Sequence, residues 1–233
     1  MKCTVESLLV GVGQSLGAST HVSGIAKEAV AGRTWLDKLG FDGDEQADRK
    51  FHGGPDKAVH HYAFDHYSYW TAQIGARPVL TRPGAFGENL STTGYVEADV
   101  CIGDVFSLGE AVVQVSQARQ PCWKLNIRFD CPGMSAQVQE SGRTGWYYRV
   151  LSPGWVAPGD TLALLERRCP DWPLARILDV LYRHTTDREA LSELAQLDAL
   201  MESWRKLFAR RLERGTVEDW SFRLNGAAGE ARS

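Results

Sequence analysis

The chain changes its hydrophobic rhythm once. Up to about residue 168, apolar positions come in short runs broken by glycine and proline. Residues 4–10, 58–62, 111–117, 147–151 and 161–165 are β-branched or apolar stretches of strand length. Residues 100–110 read as a strand, a bend and a turn, and residues 64–74 as a helix. The pairs Gly103-Asp104 and Gly159-Asp160 each stand just before an apolar strand. Many short strands with this punctuation predict a barrel. From about Trp172 the period becomes helical, with Leu174, Ile177, Leu178 and Leu181 at i, i+3, i+4 and i+7. Thr186-Asp187-Arg188-Glu189 has the spacing of a capping box before a second helix. Leu200, Trp204, Leu207 and Arg211 lie along one face of a third, with Met201, Phe208 and Leu212 beside them and Gly215 as its stop. Residues 226–233 are expected to fray. The pattern therefore predicts a mainly β fold with α: a β-barrel domain over 1–168, then a small three-helix domain over 169–233. The tail is expected to be a separable docking or dimerisation module. A chain ending near Arg168 is expected to keep the chemical site.

Composition narrows the class. A chain of 233 residues suits one substantial domain and a small one. A net charge of −3 gives no bulk attraction to nucleic acid. Three short helices permit a helix-turn-helix, but no basic stripe joins them. Five cysteines without a CxxC argue against a disulfide framework and a zinc site. The first six residues contain no apolar signal core, and no uncharged run approaches the roughly 20 residues of a membrane helix. A cytoplasmic enzyme is expected, with no membrane association. Most of the eight tryptophans are expected to be packing anchors.

Two stretches carry chemistry. In Arg119-Gln120-Pro121-Cys122-Trp123-Lys124 a cysteine follows a strand and a proline, with a cation on each side. Thiolate is the nucleophile and the soft-metal ligand, and nearby positive charge favours it. Pro121 keeps Gln120 out of the helical region, so the strand cannot run straight into a helix. The second stretch is His52-Gly53-Gly54-Pro55-Asp56-Lys57, preceded by acidic residues. Its glycines admit positive φ and close backbone approach, successive N–H groups can form an anion nest, and Lys57 adds a charge suited to phosphate. It matches no P-loop or dinucleotide fingerprint. His52 is the candidate for proton transfer, because imidazole titrates near neutrality. Asp44, Asp48 or Asp56 could orient it. His60 and His61 are adjacent and on a strand face opposite sides, which makes them a poor chelating pair.

These stretches, with Gly43-Asp44, Gln46-Ala47-Asp48, Lys57-Ala58-Val59, Pro83-Gly84-Ala85-Phe86-Gly87-Glu88-Asn89-Leu90 and Ile102-Gly103-Asp104, resemble the MOSC family, named for the C-terminal domain of molybdenum-cofactor sulfurases. The resemblance runs over most of residues 3–168, and the tail is similar to the three-helix domain of the YiiM-like branch. It implies a MOSC-type β-barrel and a molybdenum cofactor (molybdopterin) whose metal is held by Cys122. A soft metal suits the thiolate, and the phosphate arm wants cations and N–H groups. Lys57, Arg82, Arg119 and Lys124 are the candidate cations. His52, Gly53, Gly54 and Gln120 are expected to line the cofactor site, and Asn89 to meet the pterin edge. Cys122, His52 and Asp56 are the candidate catalytic residues. The relatives closest in layout imply reduction of N-hydroxylated compounds, such as N-hydroxylaminopurine-type base analogues. Without a flavin, nicotinamide or iron–sulfur pattern, a separate flavin or iron–sulfur protein is the expected electron donor. The competing reading is a carrier that holds the cofactor or passes sulfur through Cys122.

Overall fold

The computed structural model describes residues 2–17, 21–45 and 53–226. His52, Asp48 and the expected frayed end from residue 227 lie outside the described residues. The first predicted strand is two: β1 (Lys2–Thr4) and β2 (Ser7–Val10). The break has a plain cause, because the backbone changes partner there. Val5 N–H donates to Asp160 O at 2.8 Å, whereas Glu6 N–H donates to Ser91 O at 3.1 Å on another element. Then come three two-residue strands, β3 (Gln14–Ser15), β4 (Val22–Ser23) and β5 (Glu28–Ala29), followed by β6 (Thr34–Asp37) and β7 (Gly40–Phe41). The long-range ladder is built from β8 (Val59–Ala63), β9 (Leu90–Thr92), β10 (Val105–Leu108), β11 (Ala111–Ala118), β12 (Trp146–Ser152) and, after β13 (Gly154–Val156), β14 (Thr161–Glu166).

Nine strands form one sheet in the order β1-β14-β10-β11-β12-β8-β9-β2-β5, with β8 and β9 parallel and the other neighbours antiparallel. The expected barrel is corrected here: among the described residues the ladder ends at β1 and β5 and does not close. It nevertheless curls back on one stretch of chain. β1 and β2 sit near opposite ends of the ladder, yet only Val5 and Glu6 separate them.

Seven helices complete the described chain: α1 (Asp65–Ile74), α2 (Lys124–Arg128), α3 (Met134–Ser141), α4 (Leu174–Tyr182), α5 (Arg188–Gln196), α6 (Glu202–Arg214) and α7 (Ser221–Asn225). The cap of α5 falls one residue later than its motif predicts. Asp187, not Thr186, accepts the N–H groups of Glu189 and Ala190, so one orphan-donor pair is satisfied by a carboxylate at the helix's positive end. Gly215 ends α6 at φ 66°, as the sequence implies. Arg211 lies on the predicted inner face and is buried. Its guanidinium donates to Leu181 O at 2.8 Å and pairs with Glu218 at 2.6 Å.

Residue 168 separates two runs of elements but not two cores. Val113, Val115, Phe106 and Trp146 of the sheet share one buried cluster with Leu174, Ile177, Leu181, Leu194, Trp204 and Phe208 of the tail. A second cluster joins Tyr62, Trp70 and Phe86 to Leu125, Phe129 and Val138, with Tyr62 and Phe86 stacked at 3.8 Å. At roughly 1.5–3 kcal/mol for each fully buried large apolar side chain, exposing the tail's contribution would leave the sheet far from stable. The tail that was expected to be separable thus shares its core with the sheet.

Candidate functional site

A cleft opens where β11 ends and β12, β8 and β9 begin. With its mouth included it encloses about 640 Å³ of empty space. Gly145 shapes its floor. It has φ 72°, and a Cβ there would lie 2.4 Å from His61 O and 3.0 Å from His60 Nε2. Only glycine lets the backbones of β8 and the approach to β12 come this close. Its carbonyl accepts the Arg119 N–H at 2.9 Å, which extends the β11–β12 pairing by one residue and aims the next segment at the cleft.

His60 on β8 and Tyr147 on β12 are paired residues, with rings 4.9 Å apart, and both line the cleft. Burial, then the charge of Arg119, holds His60 well below the ordinary imidazole value. It is neutral at physiological pH, and its buried Nε2 has no partner among the described residues. Burial raises the Tyr147 hydroxyl above the usual phenol value, opposed by the nearby charge of Arg119. Arg119 is only 6% exposed, and its buried Nη1 also lacks a partner. Two unsatisfied nitrogens in one cleft are expensive, at about 1–3 kcal/mol for each neutral group and more for a charge.

The other wall is an ion-pair network. Lys27 pairs with Asp44, and both side chains are nearly fully buried. Burial lowers the Lys27 value, with Asp44 working against the shift. Asp44 also accepts the Gly11 N–H at 2.9 Å and an Asn89 Nδ2–H at 2.8 Å. Asn89 gives its other amide hydrogen to Leu9 O at 3.1 Å and accepts the His60 N–H at 3.0 Å. It therefore cross-braces β2, β8 and the Asp44 loop. Both of its donors are committed to protein, which leaves it poorly suited to the pterin contact expected from sequence.

Cys122 is half-buried and lines the cleft with Arg119, Lys124 and Lys57. With Lys27 this makes, among the described residues, four cations against the carboxylates of Asp44 and Glu45, a balance that favours an anion. Among the described residues no group of three or more His, Cys, Asp or Glu could hold a metal. A metal bound through Cys122 would take its remaining ligands from a cofactor.

Of the predicted set, the fold brings together Cys122, Arg119, Lys124, Lys57 and Asn89. Asp56 is directed elsewhere, to Arg149 at 2.6 Å. The Arg82 side chain is 70% exposed and meets Glu28 at 3.1 Å, so it is a surface pair rather than a cleft cation. Gly54, at φ 98°, precedes a 3-10 turn over Pro55–Lys57, and a Cβ on it would meet nothing within 4 Å. Gly53 and Gly54 thus shape the turn that delivers Lys57 and do not themselves line the cleft. Gln120 is half-buried beside Tyr182 of α4. Sequence reasoning missed Lys27, His60 and Tyr147. Period-two alternation placed His60 opposite His61, but only the register of β8 with β12 shows which face meets the cleft.

Comparison with known proteins follows the same division of the chain. Residues 48–163 match the MOSC domain, and residues 172–215 match the YiiM-like 3-alpha helix domain. Protein YiiM of Escherichia coli (strain K12) is 41% identical over 204 residues, which are 88% of this chain and 91% of that one. This chain belongs to the MOSC family, in its YiiM-like branch. The crystal structure of YiiM from Escherichia coli superposes with a TM-score of 0.81 at 33% identity, covering 96% of this chain and 98% of that one. A protein of Gibberella moniliformis (strain M3125 / FGSC 7600) named a reductase is 41% identical over 176 residues, or 75% of this chain and 31% of that longer one. Among the described residues no helix of this MOSC protein is long and apolar enough to cross a membrane.

Proposed function

We propose that the protein is a molybdenum-cofactor-dependent reductase of N-hydroxylated compounds, with Cys122 as the protein's ligand to the metal. The observation that carries this reading is the pair of buried, unpartnered nitrogens, Arg119 Nη1 and His60 Nε2, in the cleft that also holds the half-buried Cys122 thiol. A cofactor with a soft metal and a phosphate arm fits that set. The thiol suits the metal, and Arg119, Lys57 and Lys124 suit the phosphate. When bound, the cofactor supplies the two electrons that, with two protons, turn N–OH into N–H and water.

The chain's own residues prepare the cleft. Arg119 offers fixed N–H donors in a water-poor setting, where a charge-assisted bond is strong. Its charge lies near the Tyr147 phenol, whose ring packs beside His60. Neutral His60 borders the cleft without adding to its positive charge. The Lys27–Asp44–Asn89 network holds that wall in place. Planar N-hydroxylated bases match a cleft bordered by the Phe86, Tyr147 and His60 rings. The name of the Gibberella relative supports a reductive reaction. An outside flavin or iron–sulfur protein is proposed as the donor.

The test is to purify the full chain from cells supplied with molybdate, measure molybdenum and pterin, and follow reduction of 6-N-hydroxylaminopurine with a reduced dye. Metal, pterin and turnover are expected together, with turnover and metal lost in Cys122→Ser and kept in Cys3→Ser and Cys169→Ser. Metal and pterin without turnover would favour a carrier. Protein that takes up neither would overturn the reading altogether.

A further inference from the structure

The last helix grips the loop that carries Cys122. Arg223 of α7 reaches it from both sides: its guanidinium donates to Pro121 O at 2.5 Å, and its carbonyl accepts the Trp123 N–H at 2.8 Å. Pro121 and Trp123 are the two residues flanking Cys122. The same guanidinium donates to Gln139 Oε1 of α3 at 2.5 Å, so the loop is tied through α7 to a third element. Leu224 O accepts Asn126 Nδ2–H at 3.0 Å and Ser135 Oγ–H at 2.8 Å, and a Cβ on Gly226 would lie 3.1 Å from the Trp123 ring. Behind the helix, Tyr182 of α4 meets the Trp220 ring edge-on at 5.4 Å. The loop needs this help. Pro121 has no N–H to donate, and α2, which begins at Lys124, is only five residues long.

From these contacts we infer that Arg223 is a positioning residue for Cys122, and that the C-terminal helix acts as a latch fixing where the thiol stands in the cleft. The importance of that position rests on the proposed role of Cys122, but the latch itself is a claim about the thiol and is testable without the metal. Arg223 touches no cleft residue's reacting atom. It acts through the backbone on each side of Cys122. Its planar fork serves two acceptors at once in a fixed geometry, which a lysine on its flexible stem reproduces only in part.

The experiment measures alkylation of each cysteine by iodoacetamide in the full chain produced without a molybdenum source, read peptide by peptide by mass spectrometry. Arg223→Ala is expected to raise the Cys122 rate about tenfold, with the Cys3 and Cys169 rates unchanged. Arg223→Lys should recover part of the difference. Gln139→Ala, which removes one acceptor and leaves Arg223 in place, should raise the Cys122 rate about threefold and carries the test if Arg223→Ala does not fold. An unchanged Cys122 rate, or equal acceleration at all five cysteines, overturns the latch. Molybdenum content of the same variants is then read separately. A latch confirmed in metal-free protein, in a chain that never takes up molybdenum, would sink the function proposed above and leave the positioning intact.

Discussion

Replacing Arg119 by methionine should separate ligand binding from stability. Arg119 is 6% exposed, one of its guanidinium nitrogens has no partner, and its charge favours the nearby Tyr147 oxygen. A buried polar group left unsatisfied costs about 1–3 kcal/mol, and attraction between the guanidinium and the Tyr147 oxygen is of the same order. Methionine keeps most of the side-chain length, needs no partner and fills irregular space. Loss of the attraction to the Tyr147 oxygen and relief of the orphan therefore roughly offset each other. The ligand-free Arg119→Met protein should lie within about 1 kcal/mol of the parent in urea unfolding, on either side. Binding of an anion should move much further. A hydrogen bond to a charged group contributes about 1.5–3 kcal/mol, so affinity for a phosphate-bearing ligand should fall roughly ten- to a hundredfold. Calorimetric titration with pyrophosphate as the probe, beside urea unfolding of the same samples, reads both quantities. A loss of more than about 3 kcal/mol of stability with unchanged pyrophosphate affinity would make Arg119 a structural residue, and the anion site would have to be elsewhere.

Acid should destabilise the sheet through His61. It is fully buried between Tyr148 Oη at 3.0 Å and Thr92 Oγ1 at 2.9 Å, and burial lowers it from 6.5 to about 3. A histidine lowered in the folded state contributes stability that is present above 6.5 and lost as pH falls toward 3; at pH 5 the loss is about 2 kcal/mol. Urea midpoints at pH 7 and pH 5 measure it, and an imidazole that NMR finds titrating near its ordinary value would sink the argument. Gly145→Ala should cost about 3 kcal/mol, combining left-handed backbone strain with a 2.4 Å clash against His61 O. Gly142→Ala, at φ 71° with nothing within 4 Å, should cost only about 1–2 kcal/mol. Equal losses for the two variants in urea unfolding would mean that close approach at Gly145 does not shape the cleft floor.

Where the sequence could be read, local pattern and global packing demanded the same thing. The apolar positions of α4 and the β-branched run of β11 serve one core, so periodicity alone located them. The two-residue strands β3, β5 and β7 were invisible because no side-chain period can be expressed in so short a span. The first strand looked continuous because hydrophobicity says nothing of a change of hydrogen-bond partner at Val5 and Glu6. The site divided along the same line. Cys122, Arg119 and Lys124 share one loop, and their adjacency was legible in the chain. Lys27, His60 and Tyr147 come from three separate segments that only the register of β8, β9 and β12 brings together. Asp56 and Arg82 carry the right charge in the right neighbourhood of sequence, but each had a nearer partner in Arg149 or Glu28. A list of charges cannot show that competition.

The same contacts bear on why a helical tail accompanies this sheet. A cleft that leaves a guanidinium and an imidazole nitrogen unsatisfied is held open against the tendency of buried polar groups to find partners. The loop bearing Cys122 follows Arg119 directly and carries backbone carbonyls of its own. Its Pro121 carbonyl is instead taken by Arg223, and its Trp123 N–H by the Arg223 carbonyl. The tail reaches that point only because α4 to α6 are anchored in the sheet's own core through Leu174, Ile177, Leu181, Leu194 and Phe208. The latch follows directly on α6, and Tyr182 of α4 packs against Trp220 at its start, so it is joined to elements seated in the main core. On this argument the shared core is a requirement of the site, because the strain of an unsatisfied cleft has to be balanced by packing elsewhere in one cooperative unit.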